Sequence, residues 1–405
     1  MYKFQPGHID HIKQANTGRV YQLIDQLGPI SRIALSKASN MAPASITKIT
    51  RELLNGHLIE EVAIQDAGSR GRPAVGIQIK YRDWQFLSVR LGRKYLSLSL
   101  HNLNGQTLAN SRTTIDCSVI EHIPTLISQQ IDRFFETNIN QIERITGLAL
   151  TLPGLVDATT GDLIRLFDKD MNTYPLGQEL KELTGLPVFI ANDTKAWALA
   201  ERLFGHSKDI DNSILLTIHH GVNSGIVVNH QVLQGVYDHI GDLGHIKITG
   251  NQTQCECGQI GCLNTLASTD AISKRVAELV SQGRSTDIEN PENTDIDDVC
   301  VAAAKGDALA IEVLQELGMN LGKGAAMLIN LFKPEKLLIG GILNQAEEIL
   351  FPKMIEQLQI ECSASYLQDL EISGSLFFPK TTIPGVALVK QSLYDGSFLM
   401  KLLEG

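Results

Sequence analysis

From Trp84 to the C-terminus, strand-like runs followed by helix-like runs occur twice, and this repeat limits the fold more than any other feature of the chain. In the first block WQFLSVRLG, KYLSLSL and QTLANSRTT read as three consecutive strands. Apolar residues at 123, 127, 131, 134 and 135 then mark a helix. The strand ITGLALTL ends at Pro153-Gly154, and PVFIAND runs into a helix at Thr194–Phe204. In the second block NSILLTIHH and SGIVVNH read as strands, and helices fill much of 266–332. KLLIGG is a late strand, and Thr382–Leu393 is a helix near the end. The expectation is a duplicated α/β fold with a cleft between its lobes, where ligands meet the carboxyl ends of the strands.

The first 80 residues have another texture. They hold ten Lys/Arg against six Asp/Glu, a balance of +4, and the remaining 25 basic and 39 acidic residues give −14. A basic head on an acidic body suggests that the head meets a polyanion. Val20, Leu23, Ile24 and Leu27 mark a first helix, ended by Gly28-Pro29. Ser31 is suited to cap a second helix from Arg32 to about Ser39. After the turn at 40–42, Pro43 opens a third helix with Ile46, Ile49 and Leu53 as its buried stripe. Two β-rich runs then flank Gly68-Ser-Arg-Gly-Arg-Pro73, the wing of a winged helix-turn-helix. Ser45, Thr47, Lys48 and Arg51 fall on the exposed face of the third helix, suited to base edges and phosphates. Arg70 and Arg72 suit an A·T-rich minor groove. A protein-interaction module with a solvated basic loop is the alternative.

Half of the six cysteines lie in Cys255-Glu-Cys-Gly-Gln-Ile-Gly-Cys262. The N-terminus MYKFQPGHIDHIKQ lacks the apolar core of a secretion signal, and no apolar run approaches a membrane span. The expected compartment is the cytoplasm, where stable disulfides are rare. Cys255, Cys257 and Cys262, with His245 upstream, fit a Cys₃His shell for one structural Zn²⁺ per chain. A redox pair usually takes the form Cys-x-x-Cys, which is absent here. Cys117, Cys300 and Cys362 read as buried apolar residues. Asp193 has two readings: cap of the helix that follows, or a carboxylate aimed at a ligand hydroxyl.

LPGLVD, ANDTKAWALAE, GDLGH and CECGQIGCLN, in this order behind the basic head, resemble the ROK family of repressors and sugar kinases. Within it, QPGHID, VYQLIDQLGPISR, APASITKI, GSRGRPAVG, NLFKPEKLLIG and YDGSFLMKLLEG resemble the glucose-responsive repressors more than the N-acetylglucosamine-responsive ones. The resemblance implies an actin-like, sugar-kinase fold with a winged helix-turn-helix at 1–82 and lobes at 83–195 and 196–380. It implies a zinc loop at 245–262 and a C-terminal segment at 381–405 packing back on the first lobe or the head. It puts the zinc on His245, Cys255, Cys257 and Cys262, and a sugar cleft around Gly154, Asn192, Asp193 and Asp242. Asp193 corresponds to the kinases' catalytic base.

The chain departs from the kinases at telling places. The first hairpin reads Arg90-Leu91-Gly92-Arg93-Lys94, with no carboxylate for Mg²⁺, and the second phosphate loop is Gly221-Val-Asn-Ser-Gly225. Two sugar-binding Glu positions are Asp242 and Asn264. The cleft is therefore expected to be vestigial and the chain a repressor of sugar-uptake genes, not an enzyme. The resemblance implies palindromic operator DNA as partner and a homodimer or tetramer as the binding form. It also implies relief by the dephosphorylated B domain of the glucose transporter of the phosphotransferase system. The membrane would be met only through that transporter. Phe134 and Phe135 are the candidate anchors for the B domain. A repressor induced by a sugar phosphate, and an active sugar kinase, are the alternatives.

Overall fold

The structure is a computed structural model and describes residues 9–64, 74–117, 119–167, 169–218, 221–235, 240–377 and 381–404. The chain forms two compact units, 1–191 with 382–405, and 192–381. The head shares the first unit with the first lobe and the C-terminal segment.

The head contains α1 (Ile9–Leu27), α2 (Arg32–Ser39) and α3 (Pro43–Asn55), followed by β1 (Ile59–Ile64) and β2 (Ala74–Ile79). Ser31 caps α2 by accepting the Ala34 N–H at 3.2 Å. Asn40 ends it in the left-handed conformation, φ 57°. Pro43 starts α3, where it removes no needed donor. Ile46, Ile49, Thr50 and Leu53 form the buried stripe of α3. β1 and β2 pair antiparallel, with Ile59 opposite Ile79. These are the elements that a winged helix-turn-helix requires. The wing tip, with Arg70 and Arg72, lies outside the described residues. α1 ends at Leu27 as expected and extends well before the apolar stripe that begins at Val20, through a largely polar first half.

The first lobe follows: β3 (Gln85–Leu91), β4 (Tyr95–Asn102), β5 (Thr107–Thr114), α4 (Ile123–Thr137) and β6 (Ile145–Leu152). A small sheet comes next, β7 (Gly154–Val156), β8 (Leu163–Leu166) and β9 (Lys169–Tyr174), then α5 (Leu176–Thr184) and β10 (Val188–Asn192). The main sheet has the order β10-β6-β3-β4-β5. β3 is buried along its whole length, as a strand covered on both faces must be. Leu87, Val89, Leu98 and Leu148 pack on one face with Ile127 and Ile131 of α4.

The second unit runs through α6 (Asp193–Phe204), β11 (Ser213–Ile218), β12 (Val222–Val228), β13 (Gln231–Val232), α7 (Asn264–Ala267) and α8 (Thr269–Ser281). It continues with α9 (Ile296–Ala304), α10 (Ala308–Phe332), β14 (Lys336–Gly340), α11 (Glu347–Glu361), α12 (Ala364–Leu367) and β15 (Glu371–Gly374). Its sheet has the order β13-β12-β11-β14-β15. The first strand pairs antiparallel with the second and parallel with a later one, as β11 does with β12 and β14. β3 does the same with β4 and β6. Two sheets with one strand plan are the structural form of the duplication read from the sequence.

The chain then returns to the first unit as α13 (Ile383–Tyr394) and α14 (Ser397–Glu404). α13 packs against β3, β6 and α1, and α14 packs against α1. The apolar tail is buried there: Phe398 meets Phe189 edge-on, with ring centroids 5.0 Å apart. Among the described residues, no helix is long and apolar enough to cross a membrane.

Candidate functional site

His245, Cys255, Cys257 and Cys262 converge in the second unit, with one ligand atom from each lying within 4.8 Å of all the others. Short backbone bridges bring them together, pairing Lys247 with Cys262 and Gln254 with Ile260. Gly258 and Gly261 turn the loop at φ 83° and 90°, values that side chains resist. The geometry can be tested against a tetrahedral metal. Bonds of about 2.3 Å to two sulfurs put those sulfurs about 3.8 Å apart. The Cys257 and Cys262 sulfurs are 3.7 Å apart, and Cys255 Sγ lies 3.8 Å from His245 Nδ1. Two of the ligand pairs thus have the spacing of a tetrahedral shell, and the four groups together could hold one metal ion. Without a metal, burial pushes the Cys262 thiol up to about 12, while the Gln259 backbone holds the exposed Cys257 thiol below its ordinary value. Cys117, Cys300 and Cys362 are buried as expected.

The residues assigned to the sugar cleft fall in both units. Gly154 opens β7 in the first unit, and Asn192, Asp193 and Asp242 lie in the second. Of the two readings of Asp193, the cap is overturned. Asn192 is the cap: its side chain accepts the N–H groups of Thr194 at 3.0 Å and Lys195 at 3.3 Å. Asp193 is the first helical residue, 7% exposed. Next to it, the Thr194 and Thr217 hydroxyls are 2.8 Å apart.

The 221–225 segment, compared in the sequence with the kinases' second phosphate loop, runs into strand β12 from Val222 and is fastened to its neighbours. Val222 N–H donates to Asn264 Oδ1 at 2.8 Å. Ser224 N–H donates to the Gly241 carbonyl at 2.7 Å, and its hydroxyl donates to the same oxygen at 3.0 Å. Backbone amides are what a phosphate loop offers to phosphate. Here two of them already have acceptors. Asn264, read from the sequence as a lost sugar contact, has a second job as the clip on this strand. In the first hairpin Arg90 is 4% exposed within β3, opposite Ser97.

On the head, Ser45, Thr47, Lys48 and Arg51 are all exposed along α3. Arg32 braces this helix from behind, donating to Thr50 Oγ1 at 3.1 Å and to Glu61 on β1 at 2.7 Å. The paired-anchor expectation on α4 needs correcting. Phe134 is 3% exposed and belongs to the lobe core, because it continues the stripe of Ile123, Ile127 and Ile131. Phe135 is half-buried, and Ile139 beyond it is exposed.

The chain belongs to the ROK family, whose model matches residues 86–372. It is 39% identical over 404 residues to the DNA-binding transcriptional repressor Mlc of Escherichia coli K12, covering 99% of each chain. It is 35% identical over 400 residues to the transcriptional dual regulator NagC of the same organism, covering 99% of this chain and 98% of that one. Among solved structures it matches a ROK family transcriptional regulator, a homologue of the E. coli Mlc protein, at TM-score 0.91 and 50% identity. That match covers 98% of this chain and 100% of the other. It shares its fold at TM-score 0.65 and 20% identity with a ROK glucokinase from Streptomyces griseus, covering 75% of this chain and 98% of that one.

Sequence reasoning missed the Asn264 clip, the Arg32 brace and a buried ion pair at Asp25 and Lys390. Only the last left a signal: Lys390 shares a helix face with the apolar Val386, Val389 and Leu393.

Proposed function

We propose that the chain is a transcriptional repressor of sugar-uptake genes, which binds a palindromic operator as a homodimer or tetramer. The reading is carried by α3. Ser45, Thr47, Lys48 and Arg51 stand exposed on one side of a helix whose other side buries Ile46, Ile49 and Leu53. Resemblance over the full length to two named DNA-binding regulators supports it. Arg70 and Arg72 would add minor-groove contacts from the wing. His245, Cys255, Cys257 and Cys262 would hold a structural Zn²⁺, since soft thiolates with one imidazole favour that ion. The repressor would not phosphorylate sugars: the Val222 and Ser224 amides are engaged, and Arg90 stands where a carboxylate for Mg²⁺ is needed.

Its release would come from the dephosphorylated B domain of the glucose transporter. Phe135 with Ile139, rather than Phe134, would be the apolar contact. Fluorescence anisotropy on operator duplexes tests the DNA reading. Arg51→Ala should cost about 1–3 kcal/mol in binding if it contacts a base. Unchanged affinity would remove α3 from the interface. Calorimetry with the B domain in both phosphorylation states, and with glucose 6-phosphate, tests the signal. Operator release by the sugar phosphate alone would make the cleft the sensor instead.

A further inference from the structure

The head is joined to the rest of the first unit by more than its peptide link. α1 lies against the α13–α14 turn so closely that neither side has room for a side chain. A Cβ on Gly18 would sit 2.3 Å from the Tyr394 carbonyl oxygen, and one on Gly396 would sit 2.1 Å from that of Gln14. One end of this contact carries a hydrogen bond from Gln14 Nε2 to the Asp395 carbonyl at 3.2 Å.

The other end carries a buried charge pair. Lys390 Nζ on α13 meets Asp25 Oδ2 on α1, with side chains 3% and 10% exposed. Tyr394 OH donates to the same oxygen at 2.6 Å. Burial pulls the Lys390 ammonium below its ordinary value, and Asp25 opposes that pull. One turn before Asp25, the Tyr21 ring is fully buried. A short-range ion pair with two donors on one carboxylate oxygen holds an angle as well as a distance, which apolar packing alone does less strictly.

α13 is anchored at its start as well. The Thr382 carbonyl accepts from Ser88 Oγ on β3 at 2.6 Å, and the Thr382 hydroxyl donates to Ser99 Oγ on β4 at 2.9 Å. α13 is thus a rod fixed to the first lobe's sheet at one end and to α1 at the other.

We propose that Asp25, Lys390 and Tyr394 are positioning residues for operator recognition, setting the angle of the head on this rod so that two heads reach two half-sites at one spacing. The proposal rests on the repressor reading given above. The three residues touch no DNA. Their effect is on where α3 points.

The test uses the full-length protein and duplexes selected by it from random DNA. Three duplexes are compared: the palindrome, the same with five base pairs inserted between half-sites, and a single half-site. Five base pairs rotate one half-site by about half a helical turn. The parent should lose about 100-fold or more on the lengthened duplex. The double variant Asp25→Leu/Lys390→Met keeps the site filled without charge. It should lose less than about 10-fold on that duplex and match the parent within about 3-fold on the half-site. Tyr394→Phe, which removes only a hydroxyl, should fall between the two and serves if the double variant misfolds. The same spacing penalty in the parent and in each folded variant overturns the proposal, as does a parent indifferent to spacing. A parent that selects no sequence at all defeats the repressor reading itself, a separate result.

Discussion

The cysteine loop of the second unit and the ion pair of the first both fasten a segment to its unit, by different chemistry. The outermost ligands of the loop, His245 and Cys262, are separated by 17 positions in sequence. Asp25 and Lys390 are separated by 365 residues. The loop gathers thiols that a metal would hold in place. The ion pair is made of ordinary residues that burial has made demanding. A metal shell needs particular residue types at close spacing. A buried pair needs only two opposite charges that the fold brings together; the helical period marks Lys390 as facing the core, but nothing in the spacing names its partner.

The largest expected effect lies in the loop. With His245, Cys255, Cys257 and Cys262 holding zinc as proposed, Cys255→Ala should abolish zinc binding and destabilise the second unit by several kcal/mol. The loss should fall short of the ~10–16 kcal/mol seen for isolated zinc-finger peptides, because this loop has a core behind it. The two tryptophans make the comparison direct, since Trp84 lies in the first unit and Trp197 in the second. In urea, fluorescence from the Trp84→Phe background should shift to lower denaturant, and that from the Trp197→Phe background should hold. Full zinc content in Cys255→Ala would end the four-ligand assignment.

The ion pair comes next. Lys390→Met leaves a buried carboxylate without its cation and should cost the first unit about 3–5 kcal/mol. The double change Asp25→Leu/Lys390→Met should recover most of that. Here the Trp84 transition should move and the Trp197 transition should not. Equal losses in single and double variants would mean that packing, not charge, holds α1 to α13.

This contrast explains what could be read in advance. The capped helix α2, the Pro-started helix α3, the stripe of α4, the strands of the first main sheet and β11, β12 and β14 of the second carry short-range signals: a cap, a turn residue, a period; β13 and β15, two and four residues long, carry none. The metal ligands lie within one loop and one nearby turn. The sheet β7–β9 left no such signal, since its strands are short and lack alternation. The Asn264 clip was hidden for another reason. Comparison with the kinases marks Asn264 as a missing carboxylate, and only coordinates reveal that its amide oxygen holds the Val222 N–H 42 residues away. Phe134 and Phe135 look like a pair in the sequence, but the helical period puts only Phe134 on the line of Ile123, Ile127 and Ile131.

Asn264→Ala should cost about 1–3 kcal/mol, the price of a partly buried amide left without its acceptor. The Trp197 transition reads it. Asn264→Asp keeps an acceptor of the same length and should recover most of the loss. If Ala and Asp variants unfold alike, the clip contributes nothing.

The smallest expected effect concerns the shortest span. Asn192 accepts the N–H groups of residues two and three places on, Thr194 and Lys195. As a helix cap it should be replaceable by another cap. Asn192→Ala should cost about 1 kcal/mol, and Asn192→Ser only a few tenths. A residue kept for a sugar hydroxyl would behave differently, since Ser does not reproduce its reach and a cap measurement would not register the loss. Thermal unfolding of the two variants separates these roles. A Ser variant as unstable as the Ala variant would show that α6 is not started by this side chain. The four effects then rank in a definite order: a proposed metal shell, a buried charge pair, a partly buried amide and a partly buried helix cap. Their sequence spans are 17, 365, 42 and two to three residues, which is not that order. Energy in this chain follows what burial demands of each group. Legibility follows residue type and local pattern: the thiol cluster is plain in the sequence, while even the two-residue span of the Asn192 cap is easily given to its neighbour Asp193.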